Sequence, residues 1–166
     1  MGLSTLSNVL WRERELLELL LFKLEEEQLL LSAGKAQWIG RATHEVETVL
    51  EAIGQVELLR ATEVTEVARE LGLPGDVSLR ELIGRTPEPW STILAEHRKK
   101  FLEITAAVTA LAEANRELIS HGQRAAMAAL SSLTSLDEGD GAPMTYGRAG
   151  VAETAHLGPR LLDGAL

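Results

Sequence analysis

The chain has 166 residues and a formal net charge of -9, from 16 Lys and Arg against 25 Asp and Glu. Binding to nucleic acid or to an anionic membrane surface needs a basic footprint, so this charge argues against both kinds of partner. The absence of cysteine excludes disulfides and thiolate metal sites, and the most apolar stretch, residues 19–22, is too short to span a bilayer, so we expect a cytoplasmic protein without membrane insertion.

Helix one is predicted over about residues 4–33, where leucines recur at steps of three and four residues. This spacing places them along one side of an α-helix that packs against another helix. Glu13 and Glu27 fall on the same side and interrupt the apolar stripe. Either Ser4 or Ser7 is a suitable N-terminal cap.

Gly34 predicts the end of helix one, because glycine adopts the left-handed conformation that closes a helix. The turn is short, so helix two, over about residues 36–71, should return antiparallel to helix one. Gly72 and Pro74 end helix two. Its apolar stripe is predicted to consist of Trp38, Ala42, Val46, Val49, Ile53, Val56, Val64, Val67 and Leu71.

Residues 72–89 interrupt the helical pattern. Within them, Ser78 and Glu81 have the spacing of a capping box, in which each side chain satisfies a backbone N–H of the other residue. This pattern predicts a short connecting helix over residues 79–84.

Helix three is predicted over about residues 90–136, with one continuous seam at alternating steps of three and four residues. We expect His97 on this seam to be a core or rim histidine and not a metal ligand or a base. Asn115 has two interpretations: a polar residue that fixes register or oligomeric state, or an exposed residue near the end of the bundle. The seam consists of Trp90, Leu94, His97, Phe101, Ile104, Val108, Leu111, Asn115 and Leu118.

Helix three is too long for helix one to cover, since some 45 residues extend about 67 Å and helix one only about 42 Å. The uncovered end, residues 123–136, contains Met127, Leu130 and Leu133. An apolar face without a partner in its own chain is a candidate interaction site. The alternative is an alanine-rich end without a function.

Glycine and proline are frequent from residue 137 onward, which is typical of a flexible, disordered tail over residues 137–166. The predicted fold is therefore all-α. An antiparallel hairpin of long helices and a third long helix form a three-helix, coiled-coil-like bundle over residues 1–136, with the short connecting helix between helices two and three.

No residues form a convincing catalytic, cofactor or metal site, and we do not expect an enzyme. A di-iron site in a helical bundle needs two Glu-x-x-His pairs on facing helices. The one such pair here, Glu153 with His156, lies in the glycine-rich tail.

Four segments together resemble the FlgN-like flagellar export chaperones. They are LLELLLFKLEEEQ at residues 16–28, SLRELI at 78–83, NRELI at 115–119, and TYGRAG at 145–150. They occur in the order expected for that family and span most of the chain.

The resemblance implies a cytoplasmic chaperone of flagellar type III export. Such a chaperone binds hook-filament junction proteins by their helical terminal segments, prevents their premature assembly and delivers them to the export gate. By analogy, Met127, Leu130 and Leu133 bind the client, and Tyr146 binds the client or the gate; the alternative for Tyr146 is a tail residue that folds back onto the bundle. The alternative is a structural or adaptor coiled-coil protein that self-associates through helix three.

Overall fold

The computed structural model describes residues 2–137, with side chains up to residue 134. This part of the chain forms four helices, which confirms the predicted all-α fold with two long helices, a short connecting helix and a third long helix. The predicted bounds differ only at helix ends. The helices are α1 (Gly2–Ser32), α2 (Ala36–Glu70), α3 (Leu79–Arg85) and α4 (Trp90–Asp137), so that helix three of the sequence prediction is α4.

The start of α1 differs from the prediction. Because the helix begins at Gly2, Ser4 and Ser7 lie inside it, and neither is its cap. A Cβ atom on Gly2 would lie 2.9 Å from Cγ2 of Val67, so the first turn of α1 is packed closely against α2. This packing extends the helix beyond the predicted capping residues.

The other end of α1 agrees with the prediction. Gly34 has a φ of 64°, the left-handed conformation for which glycine is favoured, and α2 begins two residues later. The hairpin is antiparallel: Glu13 of α1 pairs with Arg60 of α2, whereas Glu27 of α1 accepts a hydrogen bond from Thr43.

The central helix of the bundle is α1, which packs against α2 and α4, while α3 packs against α4. Along α1 and α4, residue numbers rise in the same direction: Ser7 lies beside His97, and Leu24 accepts a hydrogen bond from Asn115. The two helices are therefore parallel. A residue of α1 lies level with the residue about 90 positions later in α4.

The core lies along two sides of α1, one packed against α2 and the other against α4. Burial of each large aliphatic or aromatic side chain stabilises the fold by about 1.5–3 kcal/mol. The predicted place of Trp38 in this core is wrong: its side chain is 49% exposed, whereas its neighbour Ile39 is partly buried. Both positions fit a step of three or four residues from Ala42, and it is Ile39 that turns toward the core. The fully buried core residues are Leu6, Leu10, Val67, Leu82, Leu94 and Phe101, with Ala68 beside them.

The connection between α2 and α4 is held by the predicted capping box. Ser78 Oγ accepts a hydrogen bond from the Glu81 amide at 3.3 Å, and the Ser78 amide donates to Glu81 Oε2 at 3.0 Å. The hydrogen bond from that amide lowers the pKa of Glu81. Leu79 and Leu82 of α3 are buried, so this short helix covers the end of the bundle opposite Gly34.

Across residues 2–137, no helix has the length and apolar character needed to cross a membrane.

Candidate functional site

The C-terminal part of α4 extends beyond the rest of the bundle. Since α1 ends at Ser32, it runs level with α4 only as far as about residue 122, and α4 continues to Asp137. We call residues 123–137 the overhang, which is about 22 Å long at 1.5 Å per residue. Every side chain from residue 121 to 134 is exposed, which confirms the predicted mismatch in helix length.

Up to residue 134, where the described side chains end, the overhang carries three large apolar side chains. Met127 is 70% exposed, Leu130 62% and Leu133 63%. Successive steps of three residues turn by about 300°, so these side chains spread over an arc of about 120°. They form a broad apolar face and not the narrow seam of a coiled coil.

Further apolar side chains are exposed at the same end of the bundle. Leu29 is 70% exposed and Leu118 37%, and Trp38 is also exposed. Between Glu27 and Ala42 no residue is buried. We call residues 28–42 and 118–134 together the tip. Sequence reasoning missed the hairpin part of the tip, although Leu29 falls outside the predicted stripe of helix one.

Directly below the tip, one buried carboxylate joins three helices. Asn115 Nδ2 donates to Glu27 Oε2 at 3.0 Å and to the backbone oxygen of Leu24 at 2.9 Å. Thr43 Oγ1 donates to Glu27 Oε1 at 2.8 Å. Asn115 is 2% exposed, so its interpretation as an exposed residue is wrong. The group Thr43–Glu27–Asn115 links α2, α1 and α4. The predicted role of Asn115 in fixing register or oligomeric state remains a prediction.

A second buried polar group joins α1 and α2 lower in the bundle. Arg60 Nη1 lies 2.8 Å from Glu13 Oε1, and both side chains are buried. Burial raises the pKa of Glu13 to about 7; the Arg60 charge opposes this shift, and the nearby Glu57 charge adds to it. Burial also raises the pKa of Glu57, against the opposing Arg60 charge. Sequence reasoning missed Arg60, even though it lies four residues after Val56 on the stripe.

His97 is buried between α1 and α4, as expected for a core histidine. The Trp11 ring meets its ring edge-on at a centroid distance of 5.1 Å, and Phe101 stacks on it at 6.4 Å. Its Nε2 lies 3.4 Å from Ser7 Oγ. Burial lowers the pKa of His97, and the Arg14 charge contributes to this shift. Among the described residues, Nδ1 of His97 has no hydrogen-bond partner, so no carboxylate orients this histidine as in a catalytic triad.

Among residues 2–137, no group of three or more His, Asp or Glu side chains has the arrangement of a metal site. Glu153 and His156 lie outside the described residues, as does Tyr146. The described chain therefore presents an exposed apolar end above a bundle with a buried polar layer. This arrangement is suited to binding another polypeptide.

A family model described as FlgN protein matches residues 1–154 of the chain. The match includes all four helices and extends past Tyr146. No curated protein matches the chain, and neither does any solved structure.

Proposed function

The chain belongs to the FlgN family, a family of flagellar export chaperones, and from this we propose that it binds hook-filament junction proteins in the cytoplasm. In this proposal it holds a helical terminal segment of its client, prevents premature assembly and delivers the client to the type III export gate. Met127, Leu130 and Leu133 contact the client.

The exposure of the overhang is the observation that carries this proposal. Met127, Leu130 and Leu133 are each more than 60% exposed on a helix that has no neighbour at that level in residues 2–137. An amphipathic helix of a client gains the free energy of apolar burial by lying along this face. The unbranched side chain of Met127 adapts its shape readily, which suits a surface that accepts more than one client.

The overhang argues against the alternative, a coiled coil that self-associates through helix three. Its seam would continue from Leu118 at steps of three and four residues. As far as residue 132 these steps lead to small side chains, which fill the interface of a coiled coil poorly, and a large residue returns only at Leu136. The residues at these steps are Gly122, Ala125, Ala129 and Ser132.

Tyr146 is proposed to contact either the client or the export gate. The family match extends past it, although it lies outside the described residues. Tyr146→Ala in the full chain should weaken one of these two interactions and leave the other unchanged. Separate titrations with client segment and with the cytoplasmic part of the gate would identify which one.

The proposal is tested by calorimetric titration of the full-length protein with a helical terminal segment of a hook-filament junction protein. We expect saturable binding to the wild-type chain. The triple variant Met127→Ser, Leu130→Ser, Leu133→Ser should bind at least about tenfold more weakly, a loss of about 1.4 kcal/mol, because the anchoring side chains are removed.

The matched control is Leu58→Ser, Leu59→Ser, Leu102→Ser, which changes three exposed leucines outside the tip. This variant should bind as the wild type does. Equal weakening in both variants would show that the overhang is not the binding face. No binding by the wild type, together with concentration-dependent dimers in analytical ultracentrifugation, would favour the self-associating coiled coil.

A further inference from the structure

The charge of the tip is opposite to that of the rest of the bundle. The tip contains Lys35, Arg41 and Arg124 and no Asp or Glu, whereas the remainder of residues 1–136 has 11 Lys and Arg against 20 Asp and Glu. Every charged residue within the tip is therefore positive, while acidic residues lie just outside it, among them Glu26, Glu117 and Asp137. In a chain with a net charge of -9, this is a local reversal of sign.

We propose that the tip binds an amphipathic helix whose apolar face is flanked by carboxylates, and that the hairpin contributes Leu29 and Trp38 to the binding surface. This inference rests on the proposed function and specifies the chemistry of the client segment. Complementary charge at the rim of an interface raises the association rate and selects among partners. The acidic remainder of the bundle repels the same carboxylates and so directs such a helix to the tip.

The cations and the apolar side chains lie at one end of the molecule. Lys35 follows the Gly34 turn and lies level with about residue 125 of α4, close to the level of Arg124. Leu29 and Trp38 flank this turn in the sequence, and Leu118 precedes the overhang by five residues. A helix of about 15 residues, roughly 22 Å long, would cover the overhang and reach the level of the turn.

Two of the three cations are available to a partner. Lys35 and Arg124 are exposed, and neither forms an ion pair within residues 2–137. Arg124 Nε donates to the backbone oxygen of Ser120 at 3.3 Å. Arg41 is engaged, since its Nε lies 3.2 Å from Glu45 Oε1.

The chain's own tail is the competing occupant, because the sequence places Glu138 and Asp140 directly after α4. The reach of these two residues argues against them, whereas Glu153 and Asp163 lie far enough along the chain to reach the tip, so the tail is kept as an outcome of the test. Three residues extend at most about 10 Å, whereas the level of Lys35 lies about 18 Å back along α4 from Asp137. These carboxylates therefore fall short of the hairpin while α4 remains helical to Asp137.

The test uses two designed amphipathic peptides of about 18 residues with the same apolar face. One is flanked by Glu and the other by Lys, and each is titrated calorimetrically into the full chain. At low salt the Glu peptide should bind about tenfold tighter, since several partly exposed ion pairs act together. At about 0.5 M salt the two affinities should converge to within about twofold, because exposed charges are screened.

The variant Lys35→Glu, Arg124→Glu should reverse the preference between the two peptides. The matched control is Arg12→Glu, Arg80→Glu, which changes two exposed cations outside the tip by the same net charge. The control should retain the preference for the Glu peptide. A preference for the Lys peptide in the wild type, or an equal effect of both variants, would overturn the inference.

Two further outcomes would name another occupant and also overturn it. If neither peptide binds while the protein dimerises with rising concentration, the tip is covered by a second copy. If the Glu peptide binds only after four tail carboxylates are neutralised (Glu138→Gln, Asp140→Asn, Glu153→Gln, Asp163→Asn), the tip is covered by the tail. Circular dichroism verifies that each variant is folded. The comparison of the two peptides on the wild-type chain does not depend on the folding of any variant.

The flagellar segment of the proposed function is titrated in parallel. Preference for the Glu peptide without binding of the flagellar segment would support the inference and contradict the proposed function. Binding of the flagellar segment with equal affinity to the wild type and to Lys35→Glu, Arg124→Glu would support the proposed function and contradict the inference.

Discussion

The two ends of α4 differ in what surrounds them and not in helical character. Leu94 and Phe101, near its start, are fully buried against α1, whereas Met127 and Leu130, near its end, are mostly exposed. The side chains of α4 change from buried to exposed at the level where α1 ends. Apolar side chains of one continuous helix thus stabilise the fold where a second helix lies beside them, and remain available to another polypeptide where it does not.

The composition of the overhang accounts for its helical structure without packing. Isolated helices of this length are marginally stable in water. Ala is the best helix former, and residues 125–129 contain four alanines around Met127. Intrinsic propensity therefore supports the overhang, while tertiary packing supports the first part of α4. Four predictions test the comparison between these two regions and the buried groups of the bundle.

The largest effect is expected for Phe101→Ala. Removing a fully buried aromatic side chain should lower the free energy of unfolding by about 3–5 kcal/mol. The measurement is urea denaturation followed by circular dichroism. Leu102→Ala, at the neighbouring and largely exposed position, is the control and should cost less than about 1 kcal/mol. Similar losses at both positions would contradict the burial pattern of the first part of α4.

A pH-dependent effect is expected for Glu13→Gln. Because burial raises the folded-state pKa of Glu13 to about 7, above its usual 4.5, the folded chain binds this proton more tightly than the unfolded chain. The corresponding stability is present below pH 4.5 and is lost as pH rises through 7. The wild type should therefore lose about 3 kcal/mol relative to the variant between about pH 4.5 and 8.

Urea denaturation of both proteins across this pH range measures that difference. Glu15→Gln removes an exposed glutamate of the same helix and should follow the wild type at every pH. A constant difference between wild type and Glu13→Gln would show that the folded-state pKa of Glu13 is not raised. The part of the overhang whose side chains are described, residues 123–134, should not contribute, since it carries no buried titratable group.

An intermediate effect is expected for Asn115→Ala, at the border between the two regions. It removes the hydrogen bonds to Glu27 and to the Leu24 carbonyl and leaves both acceptors buried, so stability should fall by about 1–3 kcal/mol. A double-mutant cycle with Glu27→Gln should show a coupling of at least about 0.5 kcal/mol. Zero coupling would mean that the hydrogen bond does not connect α1 and α4 energetically.

The smallest effect on stability is expected in the overhang. Each of Met127→Ser, Leu130→Ser and Leu133→Ser should change the free energy of unfolding by no more than about 0.5–1 kcal/mol, because little apolar surface is buried there. The measurement is urea denaturation of the three single variants. A loss comparable with that of Phe101→Ala would show that the overhang is packed in solution, which would remove the contrast between the two parts of α4.

Much of the fold follows from the spacing of apolar residues. Steps of three and four residues identified the seam of α4 that contains Leu94 and Phe101, because only one side of a packed helix avoids water. Gly34 identified the turn, and Ser78 with Glu81 identified the connecting helix, since both rely on local hydrogen bonding and backbone conformation. Helix length alone predicted an uncovered end.

The short turn at Gly34 predicts that α1 and α2 pair, but the sequence pattern does not specify where α4 packs. It shows that a helix has a buried side, but not that α1 lies between α2 and α4. Arg60 was missed because a charged residue was not expected on a stripe, although Glu13 on the facing helix balances its charge. Trp38 was misplaced because two adjacent apolar residues fit the spacing equally well. Tyr146 remains a prediction from the family resemblance.

The parallel arrangement of α1 and α4 has a consequence for folding. The α1–α2 hydrogen bonds join residues 16 and 47 positions apart, whereas those between α1 and α4 join residues 88 to 91 positions apart. Closing the longer loops is slower, so we expect the hairpin to form first and α4 to dock last. Until then, the side of α1 that receives Phe101 is open to water. Chains that end before Phe101 should therefore aggregate during synthesis, while chains that end just after Asn115 should retain a covered core.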